Sequence, residues 1–288
     1  MGTIRIWQVS DTHLSAERPF FQANWDAFAS AVAGARPDLV VHTGDLALEG
    51  AEREGDVAAG HAALALLDVP WCAIPGNHDI GDNDAPGYRP KHPVSHALLA
   101  RWHERFGECH WVRDLGAWRI VGLNAELLGD NPEPALCDHA VAQWAFLDQA
   151  LATGRPVLLF IHKPLFQDHP DQPGEPALRY VPPAAAARLR AAIEASTARI
   201  VASGHVHQHR QLDVAGIRFV WAPATAFVLP DTAQARIGEK SLGYVAYTLQ
   251  DDGGFTVTVE TPVSFAPNDI SDFPDAYPKS AKVAADAG

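Results

Sequence analysis

Short apolar runs recur along the chain at residues 4–9, 39–43, 71–74, 118–123, 157–161 and 200–203. Runs that do not alternate with polar residues read as strands buried on both faces, as in parallel sheets. Between them the period changes. Phe21, Trp25, Phe28 and Val32 fall at i, i+4, i+7 and i+11, the stripe of a helix with one buried face. Val141, Trp144, Leu147 and Leu151 make a second stripe that stops at Gly154, and Pro182 and Pro183 open a third helix with Leu189 and Ile193 on its inner face. Alternating strands and helices predict an α/β fold whose central strands run mainly parallel.

After Gly204 the pattern becomes alternating, at 211–214, 217–222, 243–250 and 255–261, with turns such as Asp251-Asp252-Gly253-Gly254. These runs predict antiparallel hairpins. The stretch 163–181 is proline-rich and aperiodic, which marks it as a loop bordering a site mouth or a subunit interface. We expect a single domain over 1–262, with cap or loop insertions at 80–110 and 163–181, and a peripheral C-terminal tail over 263–288.

The 288 residues, 47% hydrophobic and 20% charged, suit a globular chain with a substantial core. No run approaches the ~20 apolar residues of a membrane span. Arg5 and Gln8 interrupt the first run and Asp11 comes directly after it, so it reads as a strand and not as a signal peptide. A formal charge of -13 argues against gripping a long nucleic acid. Cys72, Cys109 and Cys137 lack C-x-x-C spacing, which points away from a disulfide framework or thiolate zinc site and toward the cytoplasm. Fourteen histidines are a reservoir of metal ligands and acid/base groups.

The residues just beyond each buried run carry the chemistry. Asp11-Thr12-His13 stands after the first, Gly44-Asp45 after the second and Gly76-Asn77-His78-Asp79 after the third, then His162 and Gly204-His205-Val206-His207. A single polar residue after a strand is ordinarily a cap or turn residue. Five such sets at strand ends converge on one place if the strands are neighbours, because ligands of open α/β sheets bind at that edge.

The ordered set D-x-H, G-D, G-N-H-D, H and G-H-x-H resembles the calcineurin-like metallophosphoesterases, over Asp11 to His207. The resemblance implies a four-layer α/β/β/α sandwich holding two divalent or mixed-valence metal ions at the strand ends. It implies that Asp11, His13, Asp45 and His207 hold one ion, and Asp45, Asn77, His162 and His205 the other, with Asp45 bridging. In an extended segment His205 and His207 would lie roughly 6.6 Å apart on one face and could straddle two metals about 3.5–4 Å apart. Nitrogen and oxygen donors without thiolate suit Mn, Fe, Zn or Co. Hydrolysis would proceed through attack on phosphorus by a hydroxide bridging the metals, with His78 as general acid and Asp79 as a candidate orienter of its ring.

Departures from neighbouring subfamilies narrow the resemblance. Leu48 stands where purple acid phosphatases place a tyrosine, and Asp11-Thr12-His13-Leu14 lacks the G-D-x-H-G opening of Ser/Thr protein phosphatases. The remaining pattern, G-D-L-x-x-x-G with G-N-H-D, is similar to bacterial class III cyclic nucleotide phosphodiesterases and related glycerophosphodiesterases. A small phosphodiester, with 3′,5′-cyclic nucleotides foremost, is the implied substrate. A glycerophosphodiesterase, a broad phosphomonoesterase and a catalytically inactive metal-binding module are the rival readings, and homo-oligomerisation stays open. His42, His61, His103, His110 and His139 read as structural or surface residues, and Trp102, Trp111 and Trp221 as core. His209 continues the face of His205 and His207 if that segment is extended. Arg89, Lys91, His92 and His96 read as a solvated loop within reach of a phosphate.

Overall fold

Strand β1, Thr3–Val9, runs parallel to β2, Leu39–His42, which in turn pairs in parallel with β3, Trp71–Ala73. The computed structural model describes residues 2–85, 87–129, 133–172 and 174–277. Helix α1, Gln22–Ala35, and helix α2, Glu54–Ala65, connect these strands, and the single turn α3, Asn77–Ile80, comes after the third. Helix α4, His96–Phe106, leads to β4, Trp111–Leu115, and β5, Trp118–Leu123. Helix α5, Pro134–Leu151, strand β6, Val157–Ile161, helix α6, Pro183–Glu194, and strand β7, Ala198–Ser203, continue the alternation. Two hairpins close the fold: β8, Arg210–Val214, with β9, Ile217–Trp221, and β10, Tyr244–Gln250, with β11, Phe255–Glu260.

Among the described residues the strands form a five-stranded sheet, β11-β10-β1-β2-β3, and a six-stranded sheet, β4-β5-β6-β7-β9-β8. Both are mixed: β1-β2-β3 and β5-β6-β7-β9 are parallel, and the hairpins and β4 add antiparallel edges. Ile6, Val41 and Ile74 of the first sheet meet Trp118, Phe160 and Val220 of the second in a core between the sheets. Trp25, Phe28, Leu64 and Trp102 bury the outer face of the first sheet under α1, α2 and α4, and Leu147, Leu189 and Ile193 cover the second with α5 and α6. The result is the α/β/β/α sandwich. No described helix is long and apolar enough to cross a membrane.

Three elements escape the sequence pattern for physical reasons. Helix α2 presents only a thin apolar edge, Val57, Gly60 and Leu64, and α4 comes after a proline-rich loop, with Ser95 Oγ capping the Leu98 N–H. Strand β4 is an edge strand whose residues are mostly half-exposed. The two hairpins do form, yet they go to different sheets.

The segment after Pro262 is not peripheral as far as it is described. Ile270 and Ala276 are buried, Phe273 packs on Phe20 and Phe21, and Ile270 N donates to Val228 O at 3.0 Å. Residues 278–288 of the expected tail lie outside the described residues.

Candidate metal centre

The ends of β1, β2 and β3 carry Asp11 and His13, Asp45, and Asn77 and His78, while β6 and β7 end at His162 and at His205 and His207. Main-chain bonds lock these loops together: Asp11 N donates to Gly44 O at 3.0 Å and His13 N to Asp45 O at 3.1 Å. Each sheet thus brings half of one cluster. Three overlapping sets, Asp11/His13/His207, His13/Asp45/His78 and Asp45/His162/His205, each have donor atoms within 4.8 Å of one another. Asn77 Oδ1 lies 3.2 Å from His162 Nε2 and so joins the third set. Every residue singled out from the strand-end motifs as a metal ligand stands in this cluster, and His78 stands in it too.

Close approach at the sheet ends requires glycine. Gly44 has φ of 101°, and a Cβ there would lie 2.8 Å from Gly76 N and against His162 Nδ1. A Cβ on Gly76 would lie 2.7 Å from His162 Cε1 and against Asp45.

Among the described non-glycine residues, the left-handed region holds Arg36, Ala215 and five cluster members: Asp11 (φ 55°), His13 (45°), Asp45 (55°), His205 (67°) and His207 (57°). The 205–207 segment is therefore a turn, not the extended run anticipated, and its left-handed residues aim both rings inward. Such conformations persist where the surroundings over-determine them, typically at functional sites. His209 is turned away from the cluster, with its N–H on Glu239 O and its ring nitrogen Nδ1 2.8 Å from Trp221 O.

The hydrogen bonds set the direction of each ring. His162 Nδ1 lies 2.7 Å from Thr43 O and His207 Nδ1 lies 2.8 Å from Phe227 O. A carbonyl only accepts, so both Nδ1 atoms carry hydrogen and both Nε2 atoms face the cluster. Asp45 Oδ1 accepts from His78 N at 2.8 Å. The His78 ring is held by Leu48 O, 2.9 Å from Nδ1, and not by Asp79, whose carboxylate accepts from the N–H groups of Ala47 (2.8 Å) and Gly76 (2.9 Å). Burial, together with the Asp45 charge, pushes Asp79 up to about 7.

The donor set fits a cation. His13 Nε2 and His207 Nε2 face each other at 3.3 Å, and His205 Nδ1 faces His162 Nε2 at 3.2 Å. Asp11 Oδ1 is buried, makes no hydrogen bond of good geometry and stands 3.4 Å from His207 Nε2. Imidazole nitrogens and buried carboxylate oxygens brought this close together need positive charge among them, which a bound cation would supply.

Two features were missed in the sequence. Lys163 is buried beside His162, and its Nζ donates to Asp82 Oδ1 at 2.5 Å and Glu126 Oε2 at 2.9 Å. Burial, with Asp82 close by, pushes Glu126 up to about 7 against the pull of Lys163. This triad ties the 82–92 loop to the end of β6. The second feature is Tyr277, whose hydroxyl lies 2.8 Å from His13 Nδ1.

Beside His78 opens a cavity of about 500 Å3 walled by Glu49, Glu52, Asn77, Asp82, Tyr88, Lys91 and Tyr277. The 82–92 loop forms much of this wall. No described residue of 163–181 lines it. That segment packs elsewhere, Arg210 reaching Gln167 O and Tyr180 lying against Val206 and Trp221.

Residues 4–209 match the pattern that defines the calcineurin-like phosphoesterases. The chain belongs to that family. It is 26% identical over 274 residues to the 3′,5′-cyclic adenosine monophosphate phosphodiesterase CpdA of Escherichia coli strain K12, covering 89% of each chain. It is 27% identical over 167 residues to the probable glycerophosphodiester phosphodiesterase GpdQ of Arcobacter nitrofigilis, covering 55% of this chain and 56% of that one. Among solved structures, a dimetal phosphatase from Danio rerio superposes with a TM-score of 0.63 at 14% identity, over 89% of this chain and 95% of that one. Yellow lupin purple acid phosphatase gives 0.64 at 15% identity, over 93% of this chain but 53% of that longer one. Membership of this family marks the protein as a phosphoesterase, and its His/Asp clusters are ones that could hold metal ions.

This geometry sets two expectations. Adding Mn2+ or Zn2+ to chelator-treated protein should raise its thermal midpoint, by about 2.7 kcal/mol of stability at a hundredfold excess over Kd; an unmoved midpoint contradicts a cation site. Lys163→Met leaves two buried carboxylates facing each other and should cost about 3–5 kcal/mol in denaturant unfolding.

Proposed function

We propose that this calcineurin-like phosphoesterase hydrolyses a small phosphodiester, with a 3′,5′-cyclic nucleotide as the first candidate. The observation that carries this reading is the placement of His78 between the converging ligand atoms and the 500 Å3 cavity, which gives room for an organic leaving group beside the phosphate. The CpdA relative, aligned over 89% of the chain, supports the cyclic nucleotide. The GpdQ relative supports a glycerophosphodiester as the second reading.

Asp11, His13, Asp45 and His207 would hold one metal ion and Asp45, Asn77, His162 and His205 the other, with Asp45 common to both. Bound there, the ions would supply a lowered water pKa and positive charge against the phosphoryl oxygens. The chain's own residues do the rest. The Leu48 carbonyl accepts the His78 Nδ1–H, so the ring presents Nε2 to the departing oxygen. As the bond from the water oxygen to phosphorus forms and the ester P–O bond breaks, the His78 imidazolium keeps its Nδ1–H on Leu48 O and gives its Nε2 proton to the leaving alkoxide, and the proton lost by the water restores the ring. Asp45 Oδ1, by accepting the His78 N–H, fixes the distance between acid and cluster. Carboxylates of Glu49, Glu52 and Asp82 on the cavity wall are acceptors for hydroxyls of a sugar or glycerol leaving group.

A kinetic panel of cyclic nucleotides, glycerophosphodiesters and phosphomonoesters on metal-loaded protein tests the substrate class. Diesters should lead in kcat/KM, and monoesters hydrolysed as fast as either diester would refute the reading. His78→Ala should lower turnover of an alkoxide-leaving diester by about 10²–10⁴-fold and that of a nitrophenyl diester distinctly less. Equal losses on both substrates with metal retained would remove His78 from the acid role.

A further inference from the structure

The imidazoles of His162 and His207 are oriented by carbonyls of the sandwich itself, at Thr43 and Phe227. His13 is oriented differently. Its Nδ1 meets the hydroxyl of Tyr277 at 2.8 Å, and that hydroxyl donates to Leu48 O at 3.1 Å. A tyrosine has one hydrogen to give. With that hydrogen on the carbonyl, the oxygen accepts from His13 Nδ1–H, and the His13 Nε2 lone pair is left toward Asp11 and His207. The same Leu48 carbonyl holds His78 Nδ1 at 2.9 Å, with the Tyr277 hydroxyl 3.4 Å from that nitrogen. One hydroxyl thus touches both the ring of a candidate ligand and the anchor of the candidate acid.

The segment that carries Tyr277 is fastened to the site at several points. Asn268 Nδ2 donates to Ala226 O at 2.8 Å, and Val228 N to Asn268 O at 3.0 Å, on either side of the Phe227 carbonyl that orients His207. The Tyr277 ring packs edge-on against His13 and His78, at centroid distances of 6.0 and 5.4 Å. It also forms part of the cavity wall.

We propose that Tyr277 is a positioning residue for the metal centre: through its hydroxyl, the segment after β11 sets the tautomer and aim of His13 and ties that ring to His78. The proposal rests on the metal-centre reading above. A histidine ligand with its second nitrogen unsupported typically binds metal about 10–100-fold less tightly.

Tyr277→Phe removes the hydroxyl and keeps the ring. In the full chain, chelator-competition titration with Mn2+ or Zn2+ should show one metal equivalent weakened about 10–100-fold and the other close to wild type. The thermal midpoint of the metal-free variant should stay near that of metal-free wild type. Activity at saturating metal should fall in kcat more than it rises in KM. Unchanged affinity for both equivalents overturns the proposal and leaves Tyr277 as cavity wall alone. A wild-type protein that binds no metal overturns the metal-centre reading instead, so the two failures are distinct. If the metal-free variant melts well below metal-free wild type, the hydroxyl serves folding, and the positioning role is again rejected.

Discussion

Ligand-type atoms crowded within 4.8 Å of one another in a buried site are the constraint around which this molecule is built. His13 Nε2 and His207 Nε2 meet across 3.3 Å, and the buried Asp11 Oδ1 stands 3.4 Å from the same His207 nitrogen. Left alone, such groups would rotate apart or take up protons. They stay because the Tyr277 hydroxyl and the Phe227 carbonyl hold the far nitrogens of His13 and His207, and because five cluster residues sit in a backbone conformation with no easy relaxation. The neighbouring hydrogen bonds serve this one arrangement.

The two sheets divide the task. Parallel β1, β2 and β3 deliver the carboxylates and the amide, β6 and β7 deliver most of the imidazoles, and the core between the sheets fixes their separation. Bonds across the divide, such as His205 N to Asp11 Oδ2 at 3.0 Å, register one sheet against the other. Gly44 and Gly76 let the loops approach to a distance no side chain permits. The G-D and G-N pairs of the motifs are thus steric requirements as much as chemical ones.

Much of this was legible in the chain. Buried parallel strands have unbroken apolar runs, and polar residues stationed just after them gather at one edge if the strands are neighbours, so pattern indicated the α/β alternation and motif order the clustered residues, while the four layers came with the family resemblance. The illegible parts are those decided by tertiary partners. Whether a hairpin joins the first sheet or the second depends on which edge is open. Lys163 looks like any loop lysine until Asp82 and Glu126 bury it, and the left-handed turn at His205 and His207 is dictated by the cluster it serves. Tyr277 lies after the last strand with no motif around it, and only the packed segment reveals its contact with His13.

The pairing of β1 with β10 has a consequence in time. Thr3 is matched to Gln250 and Gln8 to Val245, so β1 leaves the ribosome well before the strand it pairs with. At about 5–20 residues per second the delay is roughly 12–50 s. During that interval one edge of β1 has unpaired amides and carbonyls, a template for pairing with the wrong strand. Because Tyr277 emerges later still, His13 meets that hydroxyl only after every cluster residue from Asp11 to His207 has been made.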